Sequence, residues 1–171
     1  GRFTSWHSQV DSVRLRVGLV SGDLRDHAVA NFLVGFLAHV NPARIELIAY
    51  PTTLKSDYVT KRIKPFFSAW RPLQGIADEA AAKLIHSDGV QILIDLSGHT
   101  AHNRLPIFAW KPAPLQVTWL GYFATTGVAA MDYLIADAWT LPESEECHFV
   151  EKIWRMPDTR LCFTEPDFSV E

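Results

Sequence analysis

"LRVGLVSGDLRDHAVANFL", residues 15–33, carries the reading that decides the fold. Its opening run, "LRVGLVS" (15–21), reads as a buried strand. The apolar residues after it, Val29, Phe32, Leu33, Phe36, Leu37 and Val40, recur at the i, i+3, i+4, i+7 spacing of one helix face. A strand therefore passes through the polar segment "SGDLRDH" (21–27) into a helix, and Asn41-Pro42 stops that helix.

The alternation continues outward. "IELIAYPT" (45–52) predicts a second strand, followed by a basic helix to about Phe67 and a short strand near "SAWRPL" (68–73). "IADEAAAKLIHSDG" is an Ala-rich helix closed by Asp88-Gly89, and "VQILIDLSG" (90–98) returns as an apolar strand. "NRLPIFAWK" reads as a short helix ended by "KPAP". Strands are then expected at "LQVTWLG" (115–121), "DYLIADAW" (132–139) and "KIWRMP" (152–157), with an acidic turn or helix at "PESEECHF". Strands that are apolar throughout and separated by helices predict a Rossmann-like α/β fold, a parallel sheet covered on both faces. Trp70, Trp110, Trp119 and Trp139 read as core residues.

The 171 residues fit one domain, and 48% hydrophobic against 20% charged residues describes a folded globule. A formal net charge of −3 gives no footprint for nucleic acid, and Lys55, Lys61, Arg62 and Lys64 read as a solvated helix face. No apolar run is long enough for a bilayer, and the first residues lack a signal-peptide layout, so no membrane partner and a cytoplasmic location are expected. Cys147 and Cys162 lack CxxC spacing and read as reduced thiols. "GRFTSWHSQVDSVR" (1–14) reads as a linker, residues 15–159 as the folded lobe, and 160–171 as a connection toward a further domain.

Ligands of open α/β sheets bind outside the carboxyl ends of the strands. Three loops leave such ends: "SGDLRDH" after the first strand, "LSGHTAHN" after the fourth and "LGYFATTG" after the fifth. They are expected to line one crevice. His27 is expected in the first turn of its helix, where the positive end of the macrodipole favours a neutral imidazole, suited to a base or a hydroxyl contact; the same position also suits a simple capping histidine. His99 and His102 have no third metal ligand nearby and also fit a polar turn, so no metal site is assigned. Thr125 and Thr126 offer hydroxyls between glycines that let backbone approach a ligand. Asp95 is either a carboxylate of the site or a turn former, and Lys111 either faces the crevice or ends its helix. Neither GxGxxG after the first strand nor GxxxxGK[ST] occurs, which disfavours an NAD-type or P-loop site.

"LRVGLVSGDLRDHAVANFL", "DGVQILIDLSGHT" and "KPAPLQVTWLGYFATTGVAAMDYLIAD" together resemble the amino-terminal half of the catalytic region of O-linked N-acetylglucosamine transferases, a glycosyltransferase family that also contains SPINDLY-type protein O-fucosyltransferases. The likeness runs in order from Leu15 to Thr159 and includes the family's long pattern from PAP through W-x-G-Y to MDY. It implies the first of two Rossmann-like lobes of a GT-B enzyme, with the nucleotide held mainly by a second, C-terminal lobe and tetratricopeptide repeats upstream. It also implies a metal-independent inverting transfer from a nucleotide sugar, UDP-GlcNAc, to a protein Ser or Thr, with no cofactor. On that likeness His27 matches the family's active-site histidine, Leu120 and Gly121 match a Leu-Gly whose backbone approaches the sugar, and Tyr122 to Gly127, with Thr125 and Thr126, match the loop that follows. His99 stands where many members carry Tyr near the sugar pocket, and Phe123-Ala124 stands where animal members carry Pro-Gly. The smaller, more polar imidazole leaves fucosyl or glucosyl transfer open beside N-acetylglucosaminyl transfer, and a non-catalytic ligand-binding or interaction module remains the reading from a different class.

Overall fold

The computed structural model describes residues 1–6 and 13–163. The linker expected at 1–14 and the connection expected at 160–171 thus lie partly outside the described residues. β1 (Leu15–Ser21) leads to α1 (Ala28–His39), β2 (Ile45–Pro51), α2 (Tyr58–Ile63) and β3 (Ala69–Trp70). α3 (Asp78–Ser87), β4 (Ile92–Asp95), α4 (Leu105–Ala109), β5 (Leu115–Thr118), β6 (Tyr133–Ala136) and β7 (Lys152–Arg155) follow. Pro65 lacks an N–H and turns the end of the basic helix into a 3-10 turn at Lys64–Phe66, and a second 3-10 turn covers Glu143–His148.

The strands form one sheet in the order β3-β2-β1-β4-β5-β6-β7, every neighbouring pair parallel. Val17 and Leu19 of β1 pack with Leu47 and Ala49 of β2 under Leu33 and Leu37 of α1 and Ile63 of α2. Val20, Ile48, Tyr50 and Leu93 belong to a second core with Ile85 of α3 and Phe108 of α4. Alternate residues of one strand therefore feed two apolar layers, which is why these strands show no polar face. Chain direction across the sheet reverses at β1: β2 and β3 lie on one side, β4 to β7 on the other. Open α/β sheets take their ligands at such a reversal, which here lies at the carboxyl ends of β1 and β4.

Several boundaries differ from expectation. β5 stops at Thr118 instead of Gly121, because the next three residues leave the sheet in a tight turn, and β6 stops at Ala136, where Asp137 takes over. Trp139 is 88% exposed and not a core residue: its N–H is drawn onto the Asp137 carboxylate, which turns the indole outward. Lys111 does not face the crevice. It is buried, pairs with Asp132 and donates to the Ala130 carbonyl. Near the amino terminus, Phe3 stacks on His86 and Trp6 donates to the Lys111 carbonyl, so residues 1–6 lie against the α3 and α4 side.

Burial works against a charge on Asp137, yet the N–H groups of Arg160, Thr140 and Trp139 and the Thr140 hydroxyl outweigh it and hold the carboxyl down at about 2, against an ordinary value of 3.8. A group whose folded-state pKa is depressed stabilises the fold above its unfolded value and loses that contribution as pH falls through the folded value. Asp137 is therefore expected to contribute roughly 2 kcal/mol at neutral pH. Urea unfolding in acid tests this: Asp137→Asn should show a shallower loss of stability on acidification than the parent chain, and parallel profiles would refute it.

Candidate functional site

The three loops meet at the carboxyl edge of the sheet. Asp95, the last residue of β4, is fully buried and accepts from the Thr118 hydroxyl at 2.8 Å, the Gly98 N–H at 2.8 Å and the Ser97 N–H at 3.1 Å. Its own carbonyl accepts from Trp119 N–H at 2.9 Å. Burial pushes this carboxyl up, with the three donors acting the other way. Asp95 is the turn former of its loop, closed off from solvent.

The loops after β4 and β5 are interlocked backbone against backbone. A Cβ on Gly121 would stand 1.9 Å from the Leu96 carbonyl oxygen, so only glycine fits this approach. Gly98, at φ +54°, lies equally close to Tyr122: a Cβ there would stand 2.2 Å from the Tyr122 Cβ. Between them Leu120 is held at φ 75°, and Gly121 N–H donates to the Trp119 carbonyl at 2.9 Å across it. A positive φ spanned by an i to i+2 bond is the rare, strained γ-turn, a conformation that persists only where the surroundings enforce it. Here the packed loops enforce it.

His99 reaches across the same junction. Its Nε2 lies 3.0 Å from the Thr126 carbonyl, and its ring meets Tyr122 edge-on with centroids 5.5 Å apart. Tyr122 in turn stacks on Phe123, which is 67% exposed. His102, at φ 63°, offers its carbonyl to the Thr52 hydroxyl at 2.6 Å, joining the end of β2 to the loop after β4. Among the described residues no three His, Cys, Asp or Glu side chains gather as a metal-ligand set.

His27 is the N-cap of α1, one residue before the first turn where the sequence placed it. At φ −163° its backbone is extended, its carbonyl takes the first helical bond from Asn31, and its Nδ1 accepts from Val29 N–H at 3.3 Å. The side chain is 41% exposed, with the Asp23 carboxylate 3.8 Å from Nδ1. Asp57, which no sequence pattern singles out, secures the segment: it accepts from Asp26 N–H at 2.7 Å while capping α2 through Thr60. Those two amides hold its carboxyl below the usual range. The loop after β1 meets the loop after β4 through Gly22 N–H and Ser97 Oγ at 3.5 Å, so His27 and His99 stand on adjoining loops of one edge. His27's own contacts are with Asp23 and Val29, whereas His99, Tyr122 and Thr126 touch directly. A shallow concavity lined by Phe36, His39, Arg44 and Cys162 opens at the opposite end of the strands and has no part in this edge.

The sequence model of glycosyl transferase family 41 matches residues 2–164. This chain belongs to that family. Over 168 residues it is 38% identical to a probable UDP-N-acetylglucosamine–peptide N-acetylglucosaminyltransferase SPINDLY of Petunia hybrida, covering 95% of this chain and 18% of the relative. It is 35% identical over 148 residues to a UDP-N-acetylglucosamine–peptide N-acetylglucosaminyltransferase of Caenorhabditis elegans, covering 85% of this chain and 13% of that one. A solved mutant of the Thermobaculum terrenum O-GlcNAc transferase superposes with a TM-score of 0.86 at 38% identity, over 90% of this chain and 30% of that chain. This family 41 chain thus spans less than a fifth of these curated relatives and under a third of the solved one. Its sheet is the Rossmann-like layer that the solved relative also contains.

Proposed function

We propose that this family 41 chain is the amino-terminal lobe of a catalytic region that transfers N-acetylglucosamine from UDP-GlcNAc to Ser or Thr hydroxyls of protein. The interlocked edge built by Asp95, Gly98, Gly121 and Thr126 is the observation that carries the reading, because it fixes a strained backbone, with the rings of His99 and Tyr122 upon it, where an open α/β sheet takes its ligand. Both relatives are named as UDP-N-acetylglucosamine–peptide N-acetylglucosaminyltransferases, which supports the donor. In such a transfer the acceptor oxygen bonds to the anomeric carbon as the bond from that carbon to the diphosphate oxygen breaks, UDP departs with the bonding pair, and the hydroxyl proton passes to a base, a role open to His27 once it leaves its cap. This lobe supplies orientation: Leu120 and Gly121 offer backbone, and Tyr122, Thr125, Thr126 and His99 form the wall beside the sugar. A second, C-terminal lobe supplies the nucleotide contacts and the stabilisation of the leaving group, without a metal or another cofactor. Upstream tetratricopeptide repeats and a cytoplasmic setting complete the proposal; among the described residues no helix is long and apolar enough to cross a membrane.

The N-cap bond sets the tautomer of the His27 ring. An N–H aimed at Nδ1 needs a lone pair there, so the neutral ring carries its proton on Nε2. Accepting a proton at Nε2 requires the other tautomer, which gives up Val29 and turns Nδ1–H toward Asp23. His27 therefore orients a sugar or acceptor oxygen as it stands and becomes a base only on leaving its cap.

The test is a donor screen on a protein that joins this chain to the second lobe, with UDP-GlcNAc, UDP-glucose and GDP-fucose offered beside a Ser/Thr acceptor protein and the product read by intact mass. Addition of N-acetylhexosamine is expected. His27→Ala should lower kcat/KM by about a hundred-fold, the usual scale for a positioned proton-transfer or hydrogen-bonding group. Addition of fucose or hexose would move the assignment to another donor, full activity in His27→Ala would remove His27 from the machinery, and a parent that transfers none of the three sugars would favour a non-catalytic module. The 171-residue chain alone should turn over no sugar nucleotide.

A further inference from the structure

Residues 119–132 carry no helix or strand, yet the Tyr122 to Gly127 segment has a fixed shape. The residue that fixes it is Glu151, far along the chain and only 5% exposed. One carboxylate oxygen accepts from the Thr126 N–H at 2.7 Å and from the Thr126 hydroxyl, and the other accepts from the Thr125 hydroxyl at 2.7 Å. The two hydroxyls pass the constraint on: Thr126 Oγ1 accepts from Val128 N–H at 3.2 Å, and Thr125 Oγ1 accepts from Gly127 N–H at 3.2 Å and Val150 N–H at 3.3 Å. Among the described residues no cation pairs with Glu151. A carboxylate buried without a counter-charge costs several kcal/mol unless donors converge on it, and here all three donors come from two adjacent loop residues. A carboxylate is also the one side chain that accepts at both ends without bringing a donor of its own.

The other face of Thr126 meets His99. A carbonyl only accepts, so the 3.0 Å contact between the Thr126 oxygen and Nε2 places a proton on Nε2 and, in the neutral ring, leaves a lone pair on Nδ1. We propose that Glu151 is a positioning residue for the crevice: by clamping Thr125 and Thr126 it sets the Thr126 carbonyl, and through that carbonyl it selects the His99 tautomer whose Nδ1 accepts a hydroxyl of the bound donor. The hydroxyl contact rests on the sugar-transfer reading above; the clamp and the tautomer do not.

Two measurements separate those parts. In the 15N-labelled chain, long-range imidazole correlations should show His99 protonated at Nε2 and bare at Nδ1. Glu151→Gln brings an amide donor against the loop's donors, so it should shift His99 to a mixture of tautomers and speed hydrogen exchange of the Thr126 amide by about ten-fold to a hundred-fold, the scale of a lost hydrogen bond to a charged group. A parent His99 protonated at Nδ1, or a Thr126 amide equally protected in both proteins, overturns the proposal. Should Glu151→Gln lose its dispersed spectrum, the paired Thr125→Val and Thr126→Val replacements remove both hydroxyl donors while keeping the amide, and a tautomer unchanged in them overturns it as well. Thr126→Ser keeps the hydroxyl and should restore the parent spectrum. In the two-lobed protein, Glu151→Gln should raise the KM for the donor about ten-fold while the KM for the acceptor stays put, and an unchanged donor KM overturns the assignment to the donor. A parent protein that transfers no sugar defeats the proposed function alone, since the spectra still decide the role of Glu151.

Discussion

Gly121→Ala is expected to lower the unfolding free energy by about 3 kcal/mol or more, the upper range of overpacking in a close-packed interior. The added Cβ meets the Leu96 carbonyl oxygen at 1.9 Å, a backbone atom that no rotamer change can move aside. Retreat of Leu96 would break its own N–H bond to the Val20 carbonyl, and retreat of Gly121 would break the Trp119 N–H bond to the Asp95 carbonyl. The clash is therefore shared by β1, β4 and β5 and cannot be relieved in one loop. Gly127→Ala in the same segment is the control. At φ +68° it carries a left-handed penalty of about 1 kcal/mol, but a Cβ there meets nothing within 4 Å. Urea unfolding of the two variants decides the matter, and equal losses would show that the interlock does not hold the loops. The difference should also appear in the two-lobed protein, with Gly121→Ala lacking transfer and Gly127→Ala retaining it.

The sheet was legible because its signals are local. The apolar run of β1 and the helical spacing from Val29 to Leu37 sit next to each other in the chain, and each reports burial by its own period. From such units the parallel order and the position of the crevice follow with few alternatives. The ends of strands were less legible. "WLG" continues the apolar pattern of β5, and nothing local shows that Leu120 is forced into a strained turn by the loop after β4, where Leu96 and Gly98 wait. His27 was placed correctly at the edge and one residue too deep in its helix, because histidine is a poor N-cap by propensity and its capping bond is visible only in three dimensions. Glu151 carried no signal at all. A single acid between Val150 and Lys152 looks like any surface residue, and only the fold brings Thr125 and Thr126 onto it.

Asp95→Ala should cost about 4 kcal/mol, because it strands the Thr118 hydroxyl and the Ser97 and Gly98 amides in a site without water access, at about 1 to 3 kcal/mol for each unsatisfied donor and with partial relief as the Thr118 hydroxyl rotates. Asp95→Asn keeps the shape and one acceptor and should cost less than half as much. The pH dependence then distinguishes a buried acid from a merely polar turn. Burial raises the folded-state pKa of Asp95 above the ordinary 3.8, so the native protein binds this proton more tightly than the unfolded chain does. By linkage, its contribution is fullest below the ordinary carboxylate value and declines as pH rises through the raised one. Stability of the parent relative to Asp95→Asn is thus expected to fall on moving upward from the ordinary value, opposite in sign to the acid sensitivity assigned to Asp137. Unfolding titrations of both proteins across that window provide the measurement. A difference that grows with rising pH would mean that the Thr118, Ser97 and Gly98 donors outweigh burial, and that Asp95 is held charged like Asp137.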